Sequence, residues 1–295
     1  MWSRPLARRT LVAAALTGWL TPGDACGQDP RRAGRPAPFE IAVIPFLSPR
    51  LLVATYEPVR ATVQAALGRP TYLISAPDFR RFLERTEAGR YALAVTAPHF
   101  ARLAELDAGC RPIAQWRGEL SGVFLVERNS PLRTLADLRG GTIAAPDPLA
   151  LITMMGTDTL AAGGLKPGAD IRLEFQPSHN AALLAVLHQR ATAALMSTTA
   201  IQLVDRSVTR RVRPLAYTAP NPRSLVFLAG PSLGAAETAK LLRALPAICD
   251  SPAGRRFLAH NGYERLVPLA PGELSGFDRF LPRLRRLLAA RSERG

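Results

Sequence analysis

Residues 71–98 read TYLISAPDFRRFLERTEAGRYALAVTAP. The stretch 71–75 predicts a strand, Asp78 stands where an N-cap would open a helix running to about residue 87, and 91–96 predicts a second strand stopped by Ala97-Pro98. Alternation of strand, helix and strand is the mark of a parallel sheet whose faces are covered by helices.

The same alternation continues on both sides. Upstream, residues 39–46 read as a buried strand and 56–67 as a helix with Pro58 near its first turn. Downstream, 111–116 and 122–127 read as strands. A second series follows: helix 134–138, strand 142–145, helix 150–162, strand 171–175, helix 180–188 and strand 191–196. Residues 212–218 and 224–229 are again extended, and 232–248, 252–261 and 274–291 are helical. Helices at the C-terminus need a sheet to cover, so they are expected to return to the first series. The fold class is therefore α/β, with two Rossmann-like lobes and a hinge. Lobe one takes residues 39–127 and 220–295, and lobe two takes 128–219. Two crossings between lobes make a hinge that favours opening and closing around a ligand.

The chain has 295 residues, enough for two domains of ordinary size. Its first 27 residues differ in character. Arg4, Arg8 and Arg9 precede the apolar run 11–20, and small residues follow to Gly27, the layout of a signal peptide. The run is about half the roughly 20 residues a membrane-spanning helix needs. Arg8-Arg9 fits an ordinary basic leader or a twin-arginine one. Cys26 is a candidate for lipidation, but cleavage near Ala25-Cys26-Gly27 without an anchor fits the neighbouring residues better. Residues 28–38 form a polar linker. A periplasmic location follows from the leader.

The formal charge is +15, and the leader holds only three of the arginines. Lys166 and Lys240 are the sole lysines, and the arginines are spread thinly along the chain. A nucleic-acid protein would concentrate them in one stripe, so no nucleic-acid partner is expected. Cys110 and Cys249, the cysteines beyond the leader, are either one disulfide or two buried thiols. Neither stands in a Cys or His cluster, so no metal site is expected.

The order of segments resembles the phosphonate/phosphite-binding family of periplasmic solute receptors, within the type II periplasmic binding proteins, over residues 39–290. Three strings carry the likeness: YALAVTAP at 91–98, SPLRTLADLRG at 130–140, and Pro177-Ser-His-Asn180 ahead of a helix. PNPRS at 220–224 resembles the return crossing. The resemblance implies a small anionic, phosphonate-like ligand held between the lobes, an ABC permease as membrane partner, and a monomer without cofactor. Such receptors hold anions at helix N-termini, where backbone N–H groups lack partners. The place to look is the helix after Asp147-Pro148. There the family's hydroxyl residues are replaced by Leu149-Ala150-Leu151, with Thr153 a turn later, which points to a less charged or more apolar ligand.

Other candidate contacts are Tyr56, Pro98, His99, His179, Asn180, Ser197, Thr198 and Thr199. Tyr56 is either a pocket tyrosine or core packing. His99 follows a strand end, where α/β clefts bind ligands, and could equally be a helix-start residue facing solvent. His179 matches the family's pocket motif, with helix capping as its alternative. Ser197, Thr198 and Thr199 are anion contacts or caps. Arg223 flanks the hinge and could clamp a carboxylate or phosphate. The chain has no nucleophile elbow, phosphate-binding loop, zinc-protease motif or dinucleotide fingerprint, so no enzyme is expected. The alternative to transport is a sensory or interaction protein on the same fold, relaying ligand status to a membrane partner.

Overall fold

The structure, a computed structural model, describes residues 37–292. The expected leader at 1–27, Cys26 and nearly all of the linker lie outside the described residues. In chain order the elements begin with β1 (Phe39–Val43), α1 (Pro49–Leu67), β2 (Thr71–Ile74), α2 (Phe79–Glu87), β3 (Leu93–Thr96), α3 (Pro98–Asp107) and β4 (Arg111–Leu120). There follow β5 (Gly122–Glu127), β6 (Thr142–Ala145), α4 (Leu151–Ala162), β7 (Arg172–Phe175), α5 (His179–Leu187), β8 (Ala193–Ser197), α6 (Thr198–Gln202), α7 (Arg206–Thr209) and β9 (Val212–Tyr217). The chain closes with β10 (Asn221–Ala229), α8 (Ala235–Ala244), α9 (Pro252–Asn261), β11 (Arg265–Pro268) and α10 (Leu281–Ser292).

Local chemistry explains the starts of these helices. Asp78, Ser178 and Ser197 each accept a backbone N–H three residues on, capping α2, α5 and α6. Helix α1 begins seven residues earlier than the pattern suggests, because Pro49 presets the first helical position after Ser48. Pro58 therefore sits inside it. The helix survives because Leu52, Tyr56, Val59 and Val63 bury one face at helical spacing, offsetting the hydrogen bond that proline removes.

The strands form two sheets. The first has the order β11-β4-β10-β3-β1-β2 and the second β7-β6-β8-β5-β9. In each, the three strands of the alternating series are parallel, and the strands near the crossings are antiparallel. Strand β5, expected in lobe one, is instead a member of the second sheet: Val123 pairs with Met196 and with Tyr217. The reason is non-local, since β8 and β9 are its partners and the chain leaves the first sheet at Leu120. Three further elements were unforeseen, one of them the four-residue helix α7. Helix α3 starts on the Pro98 that ends the preceding strand, and β11 is a four-residue edge strand ending in proline.

The chain passes between sheets twice, at 120–122 and 217–221. The two passages are tied: Gly122 N–H donates to Thr218 Oγ1 and Thr218 N–H to the Gly122 carbonyl, both at 2.8 Å. A Cβ on Gly122 would stand 2.7 Å from Thr218 Cγ2, so this close pairing of crossings requires glycine. The elements after β10 return to the first sheet, with α8 and α9 packed on α1. Cys110 and Cys249 are both free thiols.

Candidate ligand cleft

The carboxyl ends of the parallel strands of both sheets meet at one cavity, where ligands of open α/β sheets bind. Its volume is about 50 Å3. The first lobe contributes Ile44, Phe46, Phe79, Ala97, Ser224 and Tyr263, and the second Ala150, Leu151, Ile152, His179, Ser197 and Thr199. The lining is mostly carbon, and no Arg or Lys is among these residues.

Donors are supplied by α4. Its N-cap is Ala150, which offers no side-chain acceptor, so the N–H groups of Leu151, Ile152 and Thr153 have neither an intrahelical partner nor a side-chain cap. Leu151 and Ile152 line the cavity. The Thr153 hydroxyl donates to the Pro146 carbonyl at 3.1 Å and braces the loop entering the helix. The Leu149-Ala150-Leu151 replacement thus leaves a bare helix amino terminus facing carbon.

Both candidate histidines are buried and neutral. Burial pushes each imidazole down to about 4. His179 lines the cavity, and its Nδ1 accepts the Ser197 N–H at 3.3 Å, which places its proton on Nε2. His99 is neither solvent-facing nor part of the lining. Its Nε2 lies 2.8 Å from the Leu149 carbonyl, so Nε2 is the protonated nitrogen and the ring ties α3 of the first lobe to the loop before α4 in the second. Its Nδ1 is buried without a partner. A second tie between lobes is Arg283 to Asp158 at 3.5 Å.

The remaining candidates are scattered. Ala150, Ser197 and Thr199 reach the cavity, with Ser197 also capping α6. Leu149 and Thr153 line a neighbouring groove with Asp78, Arg80 and Phe175. Pro98 begins α3 one residue beyond the lining Ala97. Thr198 is occupied at the hinge, its N–H and hydroxyl both donating to the Ser121 carbonyl. Asn180, the second residue of α5, is not in the lining, and its Oδ1 is buried and unpartnered. Tyr56 does not reach the cavity: it is fully buried against the edges of Phe46 and Phe257. Arg223 does not clamp the cleft either, because its guanidinium is engaged by Gln115 and Glu273, each at 3.2 Å. Ser224 and Tyr263 were missed as contacts. Ser224 lies in the crossing string 220–224, but Tyr263 follows the Gly262 cap of α9 with no local sign of a pocket role.

No group of residues able to hold a metal ion occurs among the described residues, and none of their helices is long and apolar enough to cross a membrane. Two α/β lobes joined by paired crossings, with a site at their facing strand ends, define a type II periplasmic binding protein. The fold agrees with solved structures: PhnD1 from Prochlorococcus marinus in complex with methylphosphonate (TM-score 0.75, 14% identity, covering 84% of this chain and 98% of that one) and the binding-protein component of an ABC phosphonate transporter from Pseudomonas aeruginosa (TM-score 0.69, 16% identity, 86% and 99%). The model of the family described as ABC transporter, phosphonate, periplasmic substrate-binding protein matches residues 41–274, and the chain belongs to that family. It is a family of substrate-binding proteins rather than of enzymes, whose members bind small molecules and work with a permease. Among curated proteins, the tetrathionate sensor histidine kinase TtrS of Salmonella typhimurium is 26% identical over 213 residues, 68% of this chain and 35% of the kinase. The chain thus spans about a third of that relative's length.

Proposed function

We propose that this chain is an exported receptor that captures a small solute carrying at most one negative charge, closes its lobes over it and presents it to an ABC permease. The observation that supports this most is the pairing of an uncapped α4 amino terminus with a carbon-lined cavity containing no cationic side chain. Backbone donors and a helix dipole stabilise roughly half a unit of negative charge, whereas a second charge in such surroundings would be desolvated without compensation. The cavity holds about four water-sized groups, on the usual 10–15 Å3 each, so the solute is small.

Calorimetric titration with methanesulfonate, a permanent monoanion, and methylphosphonate tests this. Methylphosphonate affinity should fall as pH rises through its second ionisation, while methanesulfonate affinity stays level. The two histidines titrate near 4 and do not confuse the window. Tighter methylphosphonate binding at the higher pH would contradict the reading.

The likeness to a sensor kinase supports a second reading, in which the same capture is reported to a membrane kinase. Crosslinking in intact cells separates the two: permease subunits recovered with the chain favour transport, and a histidine kinase without them favours sensing.

A further inference from the structure

The first-lobe wall of the cavity carries a cluster of buried hydroxyls that the fold itself does not satisfy. Ser224, Tyr56 and Tyr263 each have a side-chain oxygen buried without a well-formed hydrogen bond. The three are near enough to perturb one another: Tyr56 faces Tyr263, and Tyr263 also faces Ser224. Buried polar groups in native proteins almost always have partners, so three together ask for an explanation. Two of them, Ser224 and Tyr263, line the ligand cavity.

Tyr263 cannot swing away to find another partner. Its ring stacks flat on Trp116 with centroids 5.3 Å apart and an angle of 2°, and Phe257 closes on it at 5.7 Å. Tyr56 stands behind, itself gripped by Phe46 and Phe257. Burial also pushes the Tyr263 phenol up to about 12, so it remains a donor at any physiological pH. The arrangement is rigid and polar, and it stands across the cavity from the α4 amino terminus.

Resting on the reading of this cavity as the solute site, we propose that the Tyr263–Ser224 hydroxyl pair is a second polar subsite and that the solute is two-ended: a singly charged oxyanion on the Leu151 and Ile152 N–H groups, a short carbon body, and a hydroxyl or similar group hydrogen-bonded by Tyr263 and Ser224. The ligand class is therefore the short hydroxylated monoanion, a hydroxycarboxylate or hydroxysulfonate.

Matched probes that differ by one hydroxyl test this: glycolate against acetate, and hydroxymethanesulfonate against methanesulfonate, titrated into the full chain. The hydroxylated member of at least one pair should bind about tenfold tighter or better, as expected for a hydrogen bond that satisfies buried groups. Which pair shows it separates carboxylate from sulfonate. In Tyr263→Phe and in Ser224→Ala that ratio should collapse to about one, while Tyr263→Phe leaves the unliganded melting temperature level or higher, since it removes an orphaned hydroxyl. If Tyr263→Phe does not fold, the wild-type ratios and Ser224→Ala still decide. Equal affinities within both pairs, a preference that survives both variants, or no binding of any of the four would overturn the proposal. Binding of methylphosphonate or another solute alongside such a failure would leave capture in the cleft standing, and silence toward every solute would remove both.

Discussion

His99 and His179 are hidden bases whose effect shows in acid. An unfolded histidine takes its proton near 6.5, but these two do so near 4, so between those values the unfolded chain binds more protons than the folded one. The stability they confer is complete above about 6.5 and is lost as pH falls toward 4, on the order of 3 kcal/mol for each ring. The melting temperature should therefore drop steeply across that range, and the double variant His99→Gln, His179→Gln should flatten the slope. A wild-type curve level from 6.5 to 4 would show that the rings are hydrated. At this scale the sequence is legible only where the reason is local. The cap at Asp78 lies within the four residues 78–81, and the Ser178-His179 turn carries its own motif. Tyr263 and Ser224 meet the cavity through pairings 100 or more residues long, Arg223 with Arg117 among them, and no local pattern encodes that.

Among the elements, α4 decides the chemistry of the cleft and α9 its rigidity. Ala150→Ser would give α4 the hydroxyl cap it lacks. The serine oxygen would accept the Ile152 N–H, raising stability by about 1 kcal/mol, and methanesulfonate affinity should fall because that site donor is then engaged. Thermal melts and calorimetry on the one variant read both effects; a cap that strengthens binding would mean the N–H groups are not used. In α9, a Cβ on Gly254 would fall 1.6 Å from the Ile248 carbonyl oxygen, a clash with backbone that no rotamer relieves. Gly254→Ala should cost about 3 kcal/mol or more in denaturant melts, since helix and preceding turn must separate. The strand and helix periodicities of these elements were readable, apart from α3, α7 and β11. The sheet to which β5 belongs was not, because sheet membership is set by distant partners while strand character is set by neighbours.

For the whole molecule, the two lobes touch at few polar points, His99 with Leu149 and Arg283 with Asp158. His99→Ala removes the buried tie, so the unliganded protein should shift toward an open form with a larger radius of gyration by small-angle scattering, and methanesulfonate should reverse the shift. An unchanged radius would mean that packing alone holds the lobes. The two-lobed architecture was evident from alternation and from the return of the C-terminal helices, whereas the character of the site emerged only when a bare helix end, two neutral imidazoles and orphaned hydroxyls came together around carbon. The most direct test of that character is a crystal structure of the protein grown with methanesulfonate. The sulfonate oxygens are expected on the Leu151 and Ile152 N–H groups, inside the cavity between the lobes. A sulfonate held instead by an arginine, such as Arg80 in the neighbouring groove, would contradict it.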